Sequence, residues 1–93
     1  MTELKEVFMD IRKELRGADK YAHEAVKHKA EYPALADVYH RIASDKLTHS
    51  EMLHKQAHEM AMKHHLEPMW DIEDWITTHD IDEIKKCMDA YRK

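Results

Sequence analysis

Glu14, Tyr21, Asp45, Lys46 and His49 are the residues of this chain whose types and spacing could do chemistry. A carboxylate and an imidazole held at one height of a helical pair can ligate a metal ion, form an ion pair, or stand as a hydrated polar face. The stretch Ser44–Leu53, SDKLTHSEML, concentrates the question. Asp45 stands four residues before His49, a spacing that places both groups on one helix face. Lys46 stands one turn before the same histidine, and its ammonium cannot ligate a cation while protonated and would repel one.

The elements that must position these groups are helices. The chain has 93 residues, 37% of them charged, with one glycine and two prolines. Ala, Leu, Met, Lys and Glu are plentiful, which favours long helices and offers little to a sheet. Leu4, Val7, Ile11, Ala18 and Ala25, with Phe8, Leu15 and Ala22 beside them, predict a helix from about Thr2 to about Ala30. Gly17 inside that pattern marks either a kink or a close contact. Pro33 suits the first turn of a second helix, which runs to about His65 with Leu35, Val38, Ile42, Met52, Leu53 and Met60 on its face. Pro68 ends it.

The remaining segment reads as two short helices. Met69, Trp70, Ile72, Trp75 and Ile76 form the first. Asp80 as N-cap with Glu83 three residues on forms a capping box that would open the second, along Ile81, Ile84, Met88 and Tyr91. Trp70 and Trp75 would anchor this tail. The expected organisation is therefore an all-α chain, with a helical hairpin over residues 1–66 and a short helical tail over residues 67–93 packed on the hairpin or on a neighbouring subunit. Helices of roughly 40–50 Å cannot be covered by so short a tail. A homodimer or higher homo-oligomer follows, two hairpins completing a four-helix bundle.

With Leu4, Ile11, Ala18 and Ala25 at heptad position a, position d holds Val7, Glu14, Tyr21 and His28. In the second helix, Leu35, Ile42, His49 and Gln56 fall at a, and Val38, Asp45, Met52 and Glu59 at d. Such an inward seam contains ionisable groups that pure packing would not select. Folding the hairpin at its turn near residue 32 places Glu14, eighteen residues before it, level with His49, seventeen after. Tyr21 is similarly level with Ile42.

Glu14-x6-Tyr21 on one helix, followed by a carboxylate–histidine turn on the next, resembles the ferritin and rubrerythrin superfamily, over roughly residues 10–60. The layout of ADKYAHEAVKHKAEYPALADVYHRIASDKLTHSEMLH is similar to small rubrerythrin-like hairpins of bacteria and their phages. The resemblance implies a four-helix bundle completed by dimerisation. It also implies a di-iron site in which one helix gives a Glu and the next gives Glu-x-x-His. Here Lys46 stands where that bridging carboxylate belongs.

Three arrangements fit these residues. Lys46 can pair with Glu14 and take the place of the metal. Alternatively, Lys46 turns outward while Glu14, Asp45 and His49, twice over in a dimer and with Tyr21 behind them, hold iron, manganese or zinc. In the third, His49 is a hydrogen-bonded core histidine and Glu14 is solvated. The first leads to a metal-free, non-catalytic scaffold for assembly or protein interaction. The second leads to a metal-binding protein with di-iron oxidase or peroxidase-type activity.

The other side chains add little chemistry. His54 and His58, four residues apart, could chelate zinc, nickel or copper, but the heptad turns them outward with His65. Cys87 has no companion thiol, so it is read as packing, without disulfide or thiolate chemistry. Residues 1–66 carry eleven acids and eleven bases, and residues 67–93 carry eight acids and four bases. The missing basic patch argues against nucleic acid, and an acidic tail could meet a protein partner. No segment reads as a signal peptide or membrane span, which gives the expectation of a cytoplasmic protein with no membrane partner.

Overall fold

The computed structural model describes residues 2–93. Among the described residues the chain is all-α, with α1 at Thr2–His28, α2 at Pro33–Lys63 and α3 at Glu67–Arg92. The bundle extends 50 × 18 × 13 Å, its length that of α2, since 31 residues at 1.5 Å each give about 47 Å.

Both reversals are short. The Tyr32 N–H donates to the His28 carbonyl at 2.8 Å, and Pro33, which lacks an N–H, begins α2. At the far end of α2 the Leu66 N–H bonds back to the Ala61 carbonyl at 2.8 Å and the His65 N–H to the Met62 carbonyl at 3.3 Å. This is a Schellman closure with His65 in the left-handed position at φ 57°. Pro68 then sits in the first turn of α3.

The tail departs from expectation. It is one helix of 26 residues, nearly as long as α1, with no break at Asp80. Trp70, Thr77, Ile81, Ile84 and Met88 are all buried, at steps of seven, four, three and four residues. That single stripe keeps helical phase across ITTHD, so packing overrides the weak local propensity of the Thr-rich stretch. The aspartate-x-x-glutamate pattern works as a cap only where the backbone leaves the helix, and here it does not. The premise that the tail is too short to cover the hairpin therefore falls, and with it that argument for a dimer.

α3 packs along the hairpin from its open end back to its turn. Arg12 reaches both carboxylate oxygens of Glu73 at 2.6 and 2.7 Å. Trp70 meets His54 and His58 of α2. At the opposite end the Lys29 ammonium donates to the Tyr91 carbonyl, and His40 stacks on the Tyr91 ring with centroids 4.5 Å apart.

Core volume is graded along the axis. Leu4, Phe8, Ile11, Leu15 and Trp70 fill the open end, while Ala18, Ala22, Ala25, Ala36 and Ala43 are fully buried toward the turn. The inward seam of α2 is Ala36, Ala43, Ser50 and Ala57, with Leu47 and Ala61 beside it. This lies one residue, or about 100° of rotation, from the seam that the larger side chains predict. Leu35, Val38 and Met52 are instead 40%, 48% and 62% exposed. Small residues facing the α1 alanines allow close backbone approach, and that geometry selects them over bulkier neighbours. The Ser50 hydroxyl fits the same small position because it donates to the Leu47 carbonyl at 2.7 Å.

Candidate functional site

α3 covers one side of the α1–α2 hairpin, and Glu14 lies on the other. Its Oε2 is 3.6 Å from Lys46 Nζ and 3.5 Å from His49 Nδ1. The hairpin register therefore does bring Glu14 level with both residues of α2. The Glu14 side chain is 28% exposed, but Oε2 itself is shielded and has no hydrogen-bond partner. The Lys46 ammonium holds this oxygen by charge, with the His49 ring beside it at a similar distance, and neither contact is an aligned hydrogen bond.

Gly17 makes the arrangement possible. A Cβ at this position would stand 2.7 Å from Lys46 Cδ and 2.8 Å from Cε. The lysine stem thus lies directly across the glycine, one turn along α1 from Glu14. The helix runs on through this position, and the glycine is a close contact.

The other predicted ligands do not converge. Asp45 is exposed, rotated away from Glu14 by the same phase shift that exposes Leu35 and Met52. Tyr21 stacks on Tyr39 with centroids 5.6 Å apart, and Lys20 Nζ sits 5.4 Å above the Tyr21 ring. Among the described residues no group of three or more His, Cys, Asp or Glu side chains could hold a metal ion.

The histidines predicted to face outward divide. The rings of His54 and His58 stack on Trp70, at 4.6 and 4.8 Å, so one tryptophan on α3 is contacted by two imidazoles on α2. His54 Nε2 also lies 2.9 Å from Asp74 Oδ1, too poorly aligned for a hydrogen bond. His54 is half-buried, whereas His58 is exposed as expected, with one ring face against Trp70. His65 does stand in solvent, 4.0 Å from Glu67. Trp75, expected as an anchor, is 69% exposed and stacks only on His79, at 5.5 Å.

His40 is a residue that spacing alone did not single out. Burial lowers its pKa from 6.5, and the Arg92 charge lowers it further, against the opposing effects of Asp37 and of a hydrogen bond with the Met88 backbone. Its signal in the sequence is only that Tyr91 falls at the matching height of α3. Burial, then the Asp19 charge, raises the pKa of Cys87, which keeps the thiol protonated and unreactive.

Several tail acids are engaged within the chain. Glu73 pairs with Arg12, Asp74 with His54, Glu83 with Lys86 and Asp89 with Arg92. A groove of about 360 Å³ between α1 and α3 is walled by Arg12 and Arg16 on one hand and Asp19, Asp80 and Glu83 on the other. Such mixed charge selects no one class of ligand. Among the described residues no helix is long and apolar enough to cross a membrane.

No family model, curated protein or solved structure matches the chain. What the fold and site define is an all-α, three-helix bundle with a buried-edge ion cluster on its uncovered side.

Proposed function

We propose that this chain is a non-catalytic, ferritin-like helical scaffold that works through assembly or protein interaction. The observation that carries the reading is Lys46 Nζ at 3.6 Å from Glu14 Oε2. A lysine ammonium there neutralises the carboxylate that a metal would need, and its charge repels a second cation. His49 adds an imidazole to the same oxygen, and the exposure of Asp45 leaves the set one carboxylate short. Structural or catalytic metals of the zinc, iron and manganese type take three or more protein ligands. The uncovered hairpin side then serves for contact, presenting Leu35, Val38 and Met52 to solvent beside the half-buried Tyr21, Tyr39 and Ile42.

Metal analysis of untagged protein from an iron-, manganese- and zinc-supplemented preparation tests this reading. Far less than one ion per chain is the expected result. One ion per chain, lost in a Glu14→Ala variant, would show that the metal-binding alternative is right. Lys46→Glu sharpens the test, because it removes the ammonium and supplies a carboxylate three residues before His49. Metal uptake by this variant alone would identify the lysine as the group that keeps the site empty of ions.

A further inference from the structure

α2 carries two seams, and the bundle uses only one. The first is Ala36, Ala43, Ser50 and Ala57 against α1, with His40, His54 and His58 turned toward α3. The second runs one residue earlier, alternating Leu35, Ile42, His49 and Gln56 with Val38, Asp45, Met52 and Glu59. It is a regular heptad stripe of about 36 Å, and it points away from α3. Isolated exposed apolar residues are ordinary. A heptad with apolar groups on either side of a charged centre is the pattern of a helix–helix contact.

The charges specify what fits it. Asp45 has no ion pair within the chain among the described residues, and His49, four residues on, is exposed with Nδ1 at 3.5 Å from Glu14. In an antiparallel pair, a positions meet d positions of the other helix. Laying α2 antiparallel on itself sets Asp45 against His49 twice across the two-fold axis. It also sets Ile42 against Met52 and Val38 against Gln56. A parallel copy would instead stack Asp45 on Asp45, a like-charge contact.

We propose that a second copy of the chain docks antiparallel along this outer stripe of α2, each Asp45 paired with His49 of the other copy. The proposal rests on the interaction reading above and names its partner and register. Half of the stripe is polar, at Asp45, His49, Gln56 and Glu59, so the dimer is reversible and concentration-dependent.

Sedimentation velocity on untagged protein, from low to high micromolar concentration, tests the proposal, with circular dichroism confirming that each variant is folded. The wild-type chain is expected to shift from monomer to dimer. Asp45→Lys and Met52→Glu should each weaken dimerisation at least about tenfold. Combining Asp45→Lys with His49→Glu exchanges the acid and the base and should restore most of the affinity that Asp45→Lys removes. A wild-type monomer at every concentration overturns the dimer, and so does a dimer that survives both single changes, or a double variant no better than Asp45→Lys. Metal content is measured separately, so a metal-free monomer would retain the scaffold reading while assigning the open side to a different protein.

Discussion

The two sides of the α1–α2 hairpin are built on different principles. The side under α3 is closed by large groups in specific contacts. Trp70 lies against two histidines, Arg12 grips both oxygens of Glu73, and His40 rests on Tyr91. The open side has one charged cluster around Glu14, with apolar groups left half-buried or exposed beside it. The closed side buries its large groups, whereas the open side leaves Leu35, Val38 and Met52 in solvent.

The largest effect that separates the two sides is expected from the tryptophans. Trp70 is buried at the α2–α3 contact, while Trp75 is 69% exposed, five residues later on the same helix. Trp70→Ala removes about 3–5 kcal/mol by lost burial and cavity formation, and it frees α3 from the open end of the hairpin. Trp75→Ala stays within about 0.5 kcal/mol of wild type. Urea unfolding followed by circular dichroism measures both. Equal losses at the two positions would mean that α3 docks by a different face.

This contrast also explains what could be read from the sequence. Helix positions were legible because Pro33 and Pro68 punctuate two strong 3.6-residue patterns. The pairing of Glu14 with Lys46 and His49 was legible because an antiparallel hairpin with a short turn fixes heights from residue counts. The rotational phase of α2 was not. Leu35, Val38 and Ile42 outweigh Ala36 and Ala43 on any hydrophobicity scale, yet toward the turn α1 offers the buried Ala18, Ala22 and Ala25, which small residues approach most closely. Hydrophobic size marked the outer stripe and close packing chose the inner one, and Asp45 left the site with that rotation. The single α3 was not legible because Asp80 and Glu83 imitate a helix start inside the stripe that runs from Trp70 to Met88.

Acid should act mainly on the closed side. His40 has a folded-state pKa lowered from 6.5, by burial first and Arg92 second. The unfolded chain therefore takes up a proton here at a higher pH than the folded chain does. The contribution of His40 is fully present above about pH 6.5 and is lost as pH falls through the lower folded value. Unfolding free energy measured between pH 7.5 and about pH 5 should decline on acidification, and His40→Phe, which retains a ring against Tyr91, should flatten that slope. An unchanged slope in the variant would mean that His40 is hydrated and the Tyr91 stack open.

The smallest effect tests the open side directly. Replacing a helical glycine with alanine normally gains about 1 kcal/mol. At Gly17 the new methyl would stand 2.7 Å from Lys46 Cδ, so the lysine stem must lift away and loosen its hold on Glu14. A partly exposed ion pair of this kind is worth about 0–1 kcal/mol, so Gly17→Ala in the wild-type chain should come out near neutral. In a Lys46→Ala background nothing obstructs the methyl, and the same change should yield close to the full helix-propensity gain. Urea unfolding of the four proteins in this cycle gives the coupling as the difference between the two gains. A coupling of several tenths of a kcal/mol places the lysine across the glycine in solution, where it holds the charge that a metal would otherwise supply. Identical gains in both backgrounds would place Lys46 in the solvent and return Glu14 and His49 to the metal-binding alternative.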